Sequence, residues 1–204
     1  MRTIPKVLTQ KIYLQLIVIS LPLNAMAQTD ELPYASIPNP PTEYSAGKLA
    51  ARIIDGLGYR YYWATEGLRS QDLDYRPSEK GRSTLETVDH IYGLTMTILS
   101  TASHQKIERP EGWRDWSFNE KRKATLLNIQ KAGLILRNVS DAELDTLNIW
   151  FAGSDKVSNL PFWNLVNGMI SDSIYHVGQV VSFRRTSGNP MDPNVNVLLG
   201  KTNR

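Results

Sequence analysis

His90, Asp172 and His176 are the residues whose types and spacing could do metal chemistry. Asp172 and His176 stand four apart in the stretch Pro161 to Pro190, so on a helix they stack on one face. Leu165, Met169, Val180 and Phe183 recur at helical steps through the same stretch and predict a core-facing stripe, which the pair interrupts. A carboxylate and an imidazole taken out of water together are costly unless something pairs with them. A divalent metal is one such partner, since side chains at i and i+4 can bind one ion. A salt-linked pair inside the seam satisfies the same spacing.

His90 lies beside the apolar face made by Ile91, Leu94 and Ile98 and is expected to border the core. There it is either a third ligand or a core-edge histidine bonded to a backbone carbonyl. His104 is the last of the three histidines; on a continuous helix it falls about 21 Å beyond His90, too far to share a site. A helix C-terminus or a solvated loop suits it better. Glu86, one turn before His90, is a candidate fourth ligand, but a capping box explains it. Gln179, within one turn of His176, is placed to support that histidine from behind. Three protein ligands leave positions open for water and substrate, and a metal supplies a nucleophile at neutral pH without a reactive serine or cysteine.

These residues need helices to position them. Residues 28–43 hold Pro33, Pro38, Pro40 and Pro41 and read as an extended lead-in. A first helix is expected from about Ser45 to Leu68, with Leu49, Ile53, Leu57, Tyr61 and Ala64 on its core face. Gly56 and Gly58 weaken it and suggest close helix packing, while Tyr61, Tyr62 and Trp63 read as core and cavity lining. Gln71 to Arg82 reads as a loop. Capping boxes at Ser83–Glu86, Ser117–Glu120 and Ser140–Glu143 open a second helix to about Ser103, a third helix, and a short helix ending near Trp150. The third carries Leu126, Ile129, Gly133 and Leu136 on one face. Ser140 also completes a glycosylation sequon with Asn138, but its capping position accounts for it. Gly153 to Leu160 is expected as a loop, and Pro161 in the first turn of the fourth helix. Arg184 and Arg185 suit that helix's last turn, though one could meet an acidic substrate, and Gly188 suits its C-cap. The tail, with Val195, Val197 and Leu199 alternating, reads as an extended segment packed on the helices. Four long amphipathic helices with little strand signal imply an all-α four-helix bundle over residues 44–204, as one domain.

Residues 1–27 read as a signal peptide: Arg2, Lys6 and Lys11 precede an apolar run from Ile12 to Leu23 and an Ala25-Met26-Ala27 cleavage site. The run is short for a bilayer span, so no stable membrane anchor is expected. Taking 27 residues from 204 leaves a mature chain of 177, and the three basic residues of the leader account for the whole net charge of +3. A neutral mature chain gives no support for nucleic-acid binding. The sequence has no cysteine, which excludes a disulfide framework and thiol chemistry from the protein itself.

Two segments, Thr87-Val88-Asp89-His90-Ile91-Tyr92-Gly93-Leu94 and Asp172-Ser173-Ile174-Tyr175-His176-Val177-Gly178-Gln179, resemble the motifs of the DinB-like (YfiT-like) metalloenzyme family. The resemblance runs from the helix bearing Tyr61-Tyr62-Trp63 to the fourth helix. The family places one histidine in its second helix and a histidine pair, four apart, before Gly-Gln in its last. His90 and His176 match two of those positions, and Asp172 stands where the family usually has histidine. The resemblance implies an up-down-down-up bundle, a divalent metal held by three side chains, and a homodimer. Aspartate in the set adds negative charge and shifts preference toward harder metals among Zn, Ni, Mn and Fe.

Relatives in that family include transferases and isomerases that depend on small thiols. An exported protein, periplasmic or secreted, meets little of these. The expectation is therefore an exported divalent-metal-dependent enzyme, a hydrolase using metal-activated water or a transferase, acting on a small-molecule substrate. Two other readings use the same residues. The His/Asp/His set matches non-haem iron oxygenases, and a bundle binding a small ligand or a protein without catalysis could use the polar trio structurally.

Overall fold

The computed structural model describes residues 31–151 and 159–203. The expected signal peptide 1–27 lies outside the described residues, as does most of the expected loop from Gly153 to Leu160. The described chain is mostly helical with a few short strands, the all-α class. Its long helices are α1 (Ala46–Thr65), α3 (Thr84–Ala102), α4 (Phe118–Asn138) and α7 (Ser171–Thr186). α1 packs on α4, α4 on α3, α3 on α7 and α7 on α1, so the four close around one core.

Local chemistry starts these helices where the sequence indicates. The Ser45 hydroxyl accepts from the Lys48 N–H at 3.2 Å and caps α1. At α3, the Ser83 N–H donates to Glu86 and the Glu86 N–H to Ser83 Oγ; the same reciprocal box opens α4 at Ser117–Glu120. On α4, Leu126, Ile129, Gly133 and Leu136 are all buried, as their spacing predicts. Gly188 closes the last helix region with φ of 81°, a left-handed position that glycine adopts without steric cost.

The core face of α1 follows expectation at Leu57, Tyr61 and Ala64 but lies one position round in the first turns. Leu49 and Ile53 are 52% and 44% exposed, whereas Ala50, Ile54, Leu57, Tyr61 and Ala64 are buried. Apolar residues occupy both registers, so periodicity alone did not separate them. Close helix approach occurs at Gly47, where an added Cβ would lie 2.5 Å from the Leu136 carbonyl oxygen of α4. Gly58 serves a different contact: the ring of Tyr34, from the lead-in, would be 2.5 Å from its Cβ. Tyr34 donates to Asp55 Oδ1 at 3.0 Å, and Arg137 of α4 donates to Asp55 Oδ2 at 2.6 Å, tying lead-in, α1 and α4 together. Tyr61 and Trp63 belong to the core, and Tyr62 is half-buried.

The segment expected as a loop from Gln71 contains a short helix, α2 (Ser70–Asp74). Its anchor is the fully buried Asp72, which accepts from Arg69, Ser187 Oγ and Asn189 Nδ2. The short helix after Ser140, α5 (Asp141–Leu144), stops well before Trp150. Asn148–Trp150 is instead strand β1, paired antiparallel with β2 (Asn159–Pro161). The tail is extended, as expected, but folds on itself: β3 (Val195–Asn196) pairs with β4 (Lys201–Thr202). This hairpin holds the lead-in through Ile37 N–H to the Gly200 carbonyl at 2.9 Å.

The fourth helical stretch departs most from simple periodicity. Pro161 is the residue before its first turn, α6 (Phe162–Asn164), rather than within it. A π-helical segment, Leu165–Ile170, then leads into α7. Each π turn accommodates an extra residue, so the buried stripe steps from Leu165 to Ile170 and continues through Ser173, Val177, Val180 and Arg184. Met169 and Phe183, expected in the stripe, are only part-buried. Arg184 takes the Phe183 place, and its guanidinium donates to the Trp63, Ala64 and Glu66 carbonyls at 2.9, 3.1 and 3.0 Å. It thus caps the C-terminus of α1, a neighbour's helix end rather than its own.

Candidate metal centre

The π segment also sets where the chemistry sits. With the core stripe displaced by one residue, Asp172 and His176 fall on the flank of the stripe, and that flank faces α3. His90, on the core edge of α3, meets them there. His90 Nε2 lies 3.2 Å from Asp172 Oδ2, and His176 Nε2 lies 3.3 Å from Asp172 Oδ1. The two imidazole rings stand edge to face with centroids 4.5 Å apart. One ligand atom from each of the three residues lies within 4.8 Å of the others. For a tetrahedral ion with bonds near 2.05 Å, ligand atoms are about 3.4 Å apart; each histidine lies near that distance from a different Asp172 oxygen, a spacing that suits direct hydrogen bonding as well as a group able to hold an ion.

Proton placement bears on the same question. Gln179 Oε1 lies 2.8 Å from His176 Nδ1. With the amide oxygen accepting the Nδ1 proton, Nε2 is the nitrogen turned toward the Asp172 carboxylate. The 3.3 Å pair of Nε2 and Oδ1 can be joined either by a proton on Nε2 or by a metal cation. On His90, burial lowers the imidazole pKa; the Asp172 hydrogen bond works the other way, and Arg82 and His176 add to the lowering. The neutral ring is the form that binds metal. His176 is buried, while the Asp172 side chain is 42% exposed, so the trio is open to solvent on the carboxylate side.

Beside the trio lies a cleft of about 470 Å³ with His90 in its wall. Trp113, Phe151 and Met169 give it an apolar lining, and Arg109 and Arg114 lie at its edge. A 3₁₀ turn, Trp113–Asp115, carries two of these residues. Tyr92 on α3 packs against Trp113 and Trp116, and Lys121 donates to the Arg114 carbonyl at 2.9 Å, which holds the turn over α3. The cleft residues outside the helices carry no periodicity, so spacing gave no signal for them.

The remaining candidates separate from the trio. Glu86 is engaged by Ser83 and, bidentately, by Arg76 at 2.7 and 2.9 Å. The Arg76 guanidinium, helped by the Ser83 N–H, holds its carboxyl down at about 2. It acts as a cap. His104 stands just beyond α3 with φ of 53°, exposed, its ring against Trp150. Ser140 caps α5, and Asn138 donates to the Leu134 carbonyl.

No family model matches the chain, and no curated protein or solved structure matches it significantly. No described helix is long and apolar enough to cross a membrane.

Proposed function

We propose that residues 44–204 form a DinB-like four-helix bundle whose His90, Asp172 and His176 hold a divalent metal, Zn, Ni, Mn or Fe, and that the protein is an exported metal-dependent hydrolase or transferase acting on a small molecule. The observation that carries the reading is the convergence of the three ligand atoms, with Asp172 within 3.3 Å of both imidazoles, although His90 comes from another helix. The motif resemblance and the leader at 1–27 supply the family and the export. Exposed Leu49 and Ile53 on α1 offer apolar area to a homodimer, the assembly that the resemblance implies.

A divalent ion there supplies Lewis acidity and a hydrolytic nucleophile at neutral pH. The chain's own residues do the rest. Gln179 fixes the His176 tautomer and ring orientation. Asp172 contributes the negative charge and, through its exposure, the approach for water. His90 joins the site to the cleft, whose aromatic wall can seat the body of a substrate.

A second reading has support from the donor set: two histidines and one carboxylate with an open side also suit a non-haem iron oxygenase. Elemental analysis of protein purified from its native compartment, beside the Asp172→Ala variant, separates these readings. Zinc or nickel lost in the variant supports the hydrolase or transferase, and iron supports the oxygenase. No metal in either protein supports a non-catalytic ligand-binding bundle and overturns the proposal.

A further inference from the structure

The charges around the cleft beside His90 do not cancel. Two acids line it, and each is already matched by a cation: Glu86 by Arg76 at 2.7 Å, and Asp89 by the buried Lys121 at 2.9 Å. Two arginines line it as well, and neither has a carboxylate partner among the described residues. Arg114 is directed by its stacking on the Trp113 ring, 5.0 Å from guanidinium carbon to centroid. The other acids of the same loop, Glu108, Glu111 and Asp115, do not line the cleft. Among the lining residues the uncompensated charge is therefore positive, with the Asp172 carboxylate lying beyond His90, while Trp113, Phe151 and Met169 make the wall apolar.

We infer that this cleft binds an organic carboxylate with an apolar or aromatic body, its charged end held by Arg109 and Arg114 and its body laid along Trp113 toward His90. Guanidinium groups suit a carboxylate geometrically, because their planar fork can donate two parallel hydrogen bonds. The apolar wall accounts for the rest of the ligand, since a purely polar anion would leave that surface without a partner. The inference rests on the proposed metal-site reading for what happens to the ligand, and on the cleft alone for what binds.

The test is calorimetric titration with hydrocinnamate and with its neutral isostere hydrocinnamamide. The proteins are wild type, Arg109→Gln, Arg114→Gln and the double variant, each chelator-treated and zinc-loaded. Both arginines are exposed, so the variants should fold, and a melt of each checks this. Chelator-treated wild type is expected to bind the carboxylate about tenfold more tightly than the amide, a difference of about 1.4 kcal/mol. Each single variant should lose part of that preference and the double variant all of it, with zinc uptake unchanged in every protein. Equal binding of the two ligands by chelator-treated wild type overturns the inference, and so does no binding of either. A preference that appears only with zinc and survives in the double variant also overturns it, because the carboxylate is then on the metal. If wild type takes up no zinc but the arginine-dependent preference stands, the metal-site reading fails and this inference holds.

Discussion

Gln179 Oε1 sits 2.8 Å from Nδ1 of His176, one turn along the same helix and on the side of the ring away from Asp172. That bond decides which nitrogen faces the carboxylate and keeps the ring from rotating. Gln179→Ala should therefore weaken metal binding by about 10–100-fold while leaving the helices intact. Competition titration against a metal indicator, paired with circular dichroism, measures both. Unchanged affinity would mean that packing alone orients His176.

His104 should be dispensable for metal. It lies beyond the end of α3, against Trp150, and shares nothing with the trio. The His104→Ala variant is expected to keep the metal stoichiometry of wild type. A folded variant that has lost its metal would place His104 in the site and break the assignment.

Arg184 is buried and donates to three carbonyls at the end of α1. Methionine at this position fills a similar volume but leaves those acceptors unsatisfied, at a cost on the order of 3 kcal/mol. Urea denaturation of Arg184→Met should show that loss as a lower midpoint with an unchanged slope. A variant as stable as wild type would show that water replaces the guanidinium without penalty.

Asp72 is the most strongly depressed of the carboxyls that make stability depend on pH, Glu86 among them. The Arg69 hydrogen bonds, with those from Ser187 and Asn189, hold its carboxyl well below the usual aspartate range against the opposing effect of burial. A depressed folded-state pKa means that the stabilisation is full above the unfolded value, about 3.9, and is lost as pH falls through the folded value. Melting temperature should accordingly drop below about pH 4, and Asp72→Asn should reduce that dependence, leaving the share of carboxyls such as Glu86, while lowering stability at neutral pH. Parallel acid dependence in the two proteins would assign the loss to other carboxylates.

The helix starts were legible because they are local: Ser83–Glu86, Ser117–Glu120 and Ser140–Glu143 each close within four residues. What was hidden depends on distant partners or on a change of period. α2 forms around Asp72, whose partners Ser187 and Asn189 lie more than a hundred positions later. The burial register of α7 follows from the π segment, and no 3.6-residue pattern anticipates an inserted residue. Asp172 and His176 were legible as a pair for the same local reason as the caps. Their meeting with His90 was suggested by family resemblance, and it requires the packing of α3 on α7. Arg109, Trp113, Arg114 and Phe151 were invisible to spacing because Arg109 and Phe151 lie in irregular chain and Trp113 and Arg114 in a three-residue turn.

The central claim is that His90, Asp172 and His176 act as one metal site, and a thermal melt tests it most directly. Wild type and the His90→Ala, Asp172→Ala and His176→Ala variants are each melted with and without Zn, Mn, Ni or Fe(II). Wild type should melt about 5–10 °C higher with at least one ion present at a hundredfold excess over its dissociation constant. Each variant should unfold as a cooperative helical protein with little or none of that shift, because two remaining ligands cannot define the ion's geometry. A wild type whose melt ignores all four ions, or three variants that keep the full shift, would contradict the claim.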